Sequence, residues 1–133
     1  MQITALQNRN DTARQTRGRN AYYAGLCAEE QVADYYCRRG YSVERKRWRG
    51  RAGEIDLILR YGAQVVFVEV KKSSSLECAV ERLSGSQMQR IMLAAEEYVC
   101  AKAEGYNTEM RIDAAAVGQH GEISIIENVT MDF

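Results

Sequence analysis

The run Val65-Val66-Phe67-Val68-Glu69-Val70-Lys71 sets a carboxylate inside the most β-branched stretch of the chain. Valine and phenylalanine at that density predict a strand, and consecutive apolar residues predict a central one, covered on both faces. A buried ionised carboxylate is costly in such a place unless it is paired or binds a cation. Side chains two residues apart leave the same face of a strand, so Lys71 emerges beside Glu69. Any fold of this chain must therefore give Glu69 a partner at the end of its central strand.

The preceding segment offers one. Glu54 to Arg60 alternates, with Ile55, Leu57 and Leu59 expected on one face and Glu54, Asp56 and Ile58 on the other. Tyr61-Gly62-Ala63 reads as a hairpin turn, and antiparallel pairing across it brings Asp56 towards Glu69. Two carboxylates that close repel unless a cation joins them or one takes a proton. A helix is expected over residues 20–39, with Tyr22, Leu26, Ala33, Tyr36 and Cys37 on one stripe and Gly40 at its C-terminal end. Glu29 falls in the middle of that stripe and is expected to face the core, with Glu30 at its edge. Oxygen ligands suit Mg²⁺ or Mn²⁺. A metal held by Asp56 and Glu69 can activate water and polarise a phosphodiester, while Lys71 orients that water or stabilises charge developing on phosphorus. The competing account is an exposed Glu69–Lys71 ion pair with Asp56 solvated. The upstream Asp56 and the core-facing Glu29 favour the site.

The rest of the chain frames this constellation. Proline is absent, so glycine punctuates the elements. Residues 1–18 read as a flexible arm and residues 19–133 as one domain. Tyr41 to Arg47 suggests a polar strand, and Arg49 to Gly53 a turn. A second amphipathic helix is expected over residues 86–102, with Met88, Ile91, Met92, Ala95, Tyr98, Val99 and Lys102 on one face and a Ser84/Gln87 capping box. Met110 to Val117 and Glu122 to Glu127 are expected strands, split by Gly118 and Gly121. Helix, three strands, helix and two strands make an α/β fold, a mixed β-sheet flanked by helices.

A chain of 133 residues suits one domain, and 46% hydrophobic residues suffice for a core. The formal net charge is zero, but its distribution is uneven. Residues 1–60 hold 12 Lys and Arg against 7 Asp and Glu, whereas residues 61–133 hold 6 against 11. The basic half peaks at Arg38, Arg39, Arg45, Lys46, Arg47, Arg49 and Arg51. Such a stripe can follow a phosphate backbone or simply guard a sheet edge. No apolar run approaches the roughly 20 residues that span a bilayer, and the polar N-terminus lacks a signal-peptide core, so a cytoplasmic protein with no membrane partner is expected. Cys27, Cys37, Cys78 and Cys100 form no C-x-x-C pair and His120 is the sole histidine, so free, partly buried thiols are expected rather than a zinc site.

Gly53-Glu54-Ile55-Asp56-Leu57-Ile58 followed by Val66-Phe67-Val68-Glu69-Val70-Lys71 resembles the YraN-type family of predicted bacterial endonucleases. Gly25, Ala28, Glu29, Gly40-Tyr41, Arg47-Trp48-Arg49, Arg111-Ile112-Asp113 and Glu127-Asn128 share in the resemblance, which covers roughly residues 22–130. That family is grouped with the PD-(D/E)xK nucleases, alongside archaeal Holliday-junction resolvases. The resemblance implies a restriction-endonuclease-like core, metal ligation by Asp56 and Glu69, a catalytic role for Lys71, support for that catalytic set from Glu29, and a nucleic-acid role for Gln87. Ile55 stands where the PD pattern writes proline, and Ile91 where relatives with a Gln-x-x-x-Tyr helix have tyrosine. The expectation is a Mg²⁺- or Mn²⁺-dependent endonuclease that hydrolyses DNA, branched or damaged duplexes included, with Arg47, Arg49, Arg51 and Gln87 contacting nucleic acid. A homodimer stands as one option. The alternatives are a non-catalytic nucleic-acid-binding module on the same fold and an interaction protein that binds no nucleic acid.

Overall fold

The apolar segment around Phe67 is the middle strand of a five-stranded sheet. A computed structural model describes residues 27–73, 75–83, 85–102 and 108–129. In chain order they form α1 (Ala28–Cys37), β1 (Ser42–Arg49), β2 (Glu54–Tyr61), β3 (Gln64–Lys72), α2 (Leu76–Glu81), α3 (Gly85–Cys100), β4 (Glu109–Val117) and β5 (Ile123–Ile126). The strands lie side by side in sequence order. Every neighbouring pair is antiparallel except β3–β4, which is parallel. A parallel pair needs a crossover, and α2 and α3 lie within it. This mixed sheet between helices is the restriction-endonuclease-like arrangement expected from the sequence.

Alternation along β3 divides the interior into two cores. Val65 and Phe67 join Ile58, Ile112 and Ala114 beneath Met88, Ile91, Ala95, Tyr98 and Val99 of α3. Val66, Val68 and Val70 join Leu57, Leu59, Ala115 and Val117 beneath Ala28, Val32, Ala33 and Tyr36 of α1. The sheet is thus covered on both faces, which is why β2 and β3 carry apolar residues in succession. Gly62 takes a φ of +61° in the short turn between them, a conformation glycine adopts without penalty.

Several expectations need correction. The first helix begins at Ala28, because its N-cap Cys27 is extended, so an unbroken helix over 20–39 does not form. Tyr22, Leu26, Ser84 and the arm over residues 1–18 lie outside the described residues. Cys37 is exposed, since the helix ends there and Tyr36 takes the buried place. Cys78 and Cys100 are exposed as well, rather than partly buried. Ile55 does not share a face with Leu57 and Leu59: it packs with Ile58 under α3, and those two pack under α1. The pairing of β2 with β3 stops at Leu57↔Val68, so the strand beyond it is released from the pleat of its neighbour. Met92 is 43% exposed and Ala94 is buried in its place. The buried arc of α3 centres near Ile91, and Met92 lies roughly a quarter-turn from that centre, just past the arc's edge. The short helix α2 was not anticipated. No helix among the described residues is long and apolar enough to cross a membrane.

One buried charge braces the sheet against α1. Asp113 on β4 is fully buried. It accepts two bonds of 2.8 Å from the Arg111 guanidinium, one of 2.7 Å from the Tyr36 hydroxyl and one of 3.0 Å from the Asn128 amide. Arg111 also reaches the Tyr41 hydroxyl at 3.1 Å and Glu127 at 3.7 Å. The Arg111-Ile112-Asp113 and Glu127-Asn128 segments therefore serve one structural network. Breaking a buried pair strands the remaining charge, so Asp113→Ala is expected to lower unfolding stability by about 3–5 kcal/mol. Tyr36→Phe, which loses a hydrogen bond to a charged acceptor, is expected to cost about 1.5–3 kcal/mol. Urea denaturation measures both, and a loss under about 1 kcal/mol for Asp113→Ala would contradict the bracing role.

Candidate active site

The carboxylates gather where the hairpin opens. β2 and β3 are paired from Tyr61↔Gln64 to Leu57↔Val68, one step before Asp56 would face Glu69. There a side chain replaces the ladder: Asp56 Oδ2 accepts the Val70 amide at 2.8 Å. This bond satisfies a backbone donor at the splayed end and holds Asp56 against β3. The carboxyls of Asp56 and Glu69 lie close enough for each to act on the other's titration. Glu69 Oε2 also meets Lys71 Nζ at 3.3 Å and accepts from Gln87 Nε2 at 3.2 Å. The side chains of Glu69 and Lys71 are only 10% and 17% exposed, so the solvated ion pair considered from sequence does not describe them.

Burial raises both carboxyls, whereas their proximity raises Glu69 and opposes the rise of Asp56. Glu69 is pushed up to about 7, chiefly by burial and next by the charge of Asp56, with Lys71 opposing. Asp56 is also raised, again by burial first, with the Val70 amide opposing and the charge of Glu29 adding. Two carboxyls this close repel when both are ionised, and Lys71 offsets only part of that repulsion. The oxygen donors suit a hard divalent cation, which would relieve that repulsion. Among the described residues, no three His, Cys, Asp or Glu side chains converge as a preformed metal cage. The oxygens present for a metal are those of the Asp56–Glu69 pair.

Glu29 lies in the first turn of α1, where negative charge opposes the positive end of the helix dipole. It is part-buried, with a side chain 24% exposed, instead of facing the core squarely. Its helical phase is nevertheless as expected, because Glu30 is the more exposed and turns back to accept the Cys27 amide. Arg47 Nη2 meets Glu29 Oε1 at 3.2 Å. Arg49 meets Glu54 at 3.7 Å, and the Arg51 backbone amide donates to Glu97 at 2.8 Å. Arg47, Arg49 and Arg51 are all exposed, whereas Gln87 turns inward to Glu69 and belongs with the carboxylates. Two features were missed from sequence. Arg47 has a left-handed backbone, φ +51°, within β1, a conformation costing roughly 1–3 kcal/mol. Ala114 and Ala116 pair with Glu69 and Lys71 on β4, so small side chains flank both functional groups. An alanine run beside a strand bearing carboxylate and lysine is the signal that could have revealed this.

The sequence matches a family model described as "Uncharacterised protein family UPF0102" over residues 28–117. It is 50% identical to a UPF0102 protein of Roseobacter denitrificans over 116 residues, which is 87% of this chain and 90% of the relative. It is 51% identical to one of Cereibacter sphaeroides over 111 residues, 84% and 95% of the two chains. A UPF0102 protein of Ruegeria pomeroyi is 48% identical over 113 residues, 85% and 92%. The matched segment spans α1 to the end of β4, and so contains Glu29, Arg47, Asp56, Glu69, Lys71 and Gln87.

The raised Glu69 carboxyl fixes a sign for stability against pH. The folded state holds its proton more tightly than the unfolded state, so this contribution is full below the ordinary carboxylate range and is lost as pH rises to about 7. In EDTA the unfolding free energy is expected to fall between pH 5 and 7 by up to about 1.4 kcal/mol per pH unit from this group. Glu69→Gln should flatten that decline. Parallel profiles for the two proteins, measured by denaturation at each pH, would show that Glu69 is not the group held protonated.

Proposed function

The chain belongs to the UPF0102 family, and we propose that it is a metal-dependent endonuclease of the YraN type that hydrolyses phosphodiester bonds in DNA. The observation that carries this reading is the approach of the half-buried Asp56 carboxyl to the buried one of Glu69, with Lys71 Nζ 3.3 Å from Glu69. Folding alone gains nothing from two desolvated carboxyls this close at the end of the central strand. Their pairing with an inward lysine beside an exposed arginine stripe suits a negatively charged substrate.

Asp56 and Glu69 would hold Mg²⁺ or Mn²⁺, which when bound supplies charge neutralisation at the phosphate and a water of lowered pKa. The Val70 amide fixes the rotamer of Asp56, and Gln87 fixes that of Glu69. Such supporting bonds keep oxygens aimed at one point without competing for both lone pairs. Lys71 Nζ is held between Glu69 and the open end of the strand, where it donates hydrogen bonds to the attacking water or to a non-bridging phosphate oxygen. Its positive charge counts most as negative charge grows in the transition state, because Lys71 and Glu69 are largely shielded from water. Attack of water on phosphorus breaks the bond to one bridging oxygen, and the proton lost by water ends on that leaving oxygen. Arg47, Arg49 and Arg51 extend the positive surface along β1 and the turn after it, where a nucleic-acid backbone can run.

Cleavage of a panel of linear, nicked, flapped and four-way DNA with Mg²⁺ or Mn²⁺ tests the proposal. Glu69→Gln should reduce nicking to background while DNA binding persists, because charge and not volume is removed. Lys71→Ala should lose on the order of 100-fold in rate with metal binding retained. Gln87→Ala should raise the metal concentration needed by roughly 10-fold, as expected of a supporting bond. Binding without cleavage of any substrate by the wild type would favour a nucleic-acid-binding module on this fold. Equal cleavage by wild type and Glu69→Gln would remove the site from Asp56 and Glu69.

A further inference from the structure

Arg47 combines features that an ordinary strand residue lacks. Its φ is +51° although it lies within β1, and glycine is absent there. The register brackets it opposite Asp56, between Lys46↔Leu57 and Trp48↔Ile55. Its side chain is 64% exposed and reaches Glu29 through Nη2 at 3.2 Å. An ion pair that exposed adds little to stability, so it does not account for a strained backbone. Left-handed conformations of this kind break the alternation of a strand and re-aim one side chain, and they gather at functional sites. Here the re-aimed side chain is a guanidinium beside the first turn of α1, on the residue whose backbone the register sets opposite Asp56.

Charge explains the use of a cation at that point. Glu29, Asp56 and Glu69 outnumber Lys71, and a phosphodiester brings a further negative charge. Lys71 is largely shielded from solvent, with a side chain 17% exposed, and is engaged with Glu69. Arg47 is exposed and engaged with a carboxylate through one contact, whereas a phosphate accepts the guanidinium fork through two.

We propose that Arg47 is an exchangeable phosphate clamp, whose guanidinium passes from Glu29 to the phosphodiester seated beside Asp56 and Glu69. The clamp rests on the phosphodiesterase reading and adds to it the residue that seats the reacting phosphate, with Glu29 as its competitor in the resting protein. Two consequences separate it from general basic attraction. Removing the charge of Glu29 releases the guanidinium and so strengthens phosphate binding. Replacing Arg47 by lysine keeps the charge but loses the fork, so it restores binding only in part.

The test is fluorescence anisotropy of the full chain with a labelled short DNA duplex, in EDTA so that no metal contributes, together with thermal unfolding and cleavage in Mg²⁺. Arg47→Ala is expected to weaken binding about tenfold, the loss of one strong paired contact, with Arg47→Lys in between. Glu29→Gln is expected to tighten binding by roughly threefold or more. Arg47→Gly should unfold no lower than wild type, since glycine accepts the left-handed φ. A wild type that binds and cleaves while Arg47→Ala binds equally well overturns the clamp alone. So does looser binding by Glu29→Gln, or a clear drop in the unfolding temperature of Arg47→Gly, each of which makes the pair a structural tie. A wild type that neither binds nor cleaves DNA overturns the clamp and the phosphodiesterase reading together.

Discussion

The closeness of Asp56 and Glu69 is the constraint around which the rest of this structure is arranged. Two carboxyls held together away from water are unfavourable unless a proton or a cation lies between them. The fold nevertheless spends specific bonds on keeping them there. The hairpin opens one step early, the Val70 amide turns from ladder partner to ligand of Asp56, and Gln87 and Lys71 converge on Glu69. A fold selected for stability alone would leave these positions apolar, since well-packed hydrophobic residues match or better a buried ionic group.

Rigid surroundings make that arrangement sustainable. β3 is flanked on both edges by strands and on both faces by helices, so Glu69 and Lys71 extend from the most enclosed strand of the sheet. α1 carries Glu29 in its first turn, and its Tyr36 bonds to Asp113 on β4. That buried bond ties the helix to the sheet about two helical turns from the site. α3 contributes Gln87 from its own first turns while its buried face packs on Phe67 and Ile112. Each candidate site side chain thus projects from an element whose other residues pack in a core, the condition for holding geometry to a fraction of an ångström.

Much of this was legible in the sequence because patterns of burial are local. The β-branched run announced β3, its single carboxylate announced the site, and the two-residue spacing to Lys71 fixed their common face. The helical phase of Glu29 relative to Glu30 was also readable. What was not legible depended on interactions between distant segments. Ile55 changes face because β2 leaves β3, which no periodicity within β2 reveals. Gln87 turns to Glu69 and not outward, because α3 is placed over the open end of the hairpin. The left-handed Arg47 carries no glycine or asparagine signal. Asp113 read as part of a shared motif, and only the meeting of β4, α1 and the segment after β5 explains its burial.

The central claim is that Asp56 and Glu69 form a site whose proton a divalent cation displaces. Calorimetric titration of Mn²⁺ at pH 6, repeated in buffers of different ionisation enthalpy, measures stoichiometry and proton release together. The account predicts one saturable site per chain, release of roughly one proton on binding, and loss of both in Glu69→Gln. Saturable binding that survives Glu69→Gln, or no binding to the wild type, would contradict it.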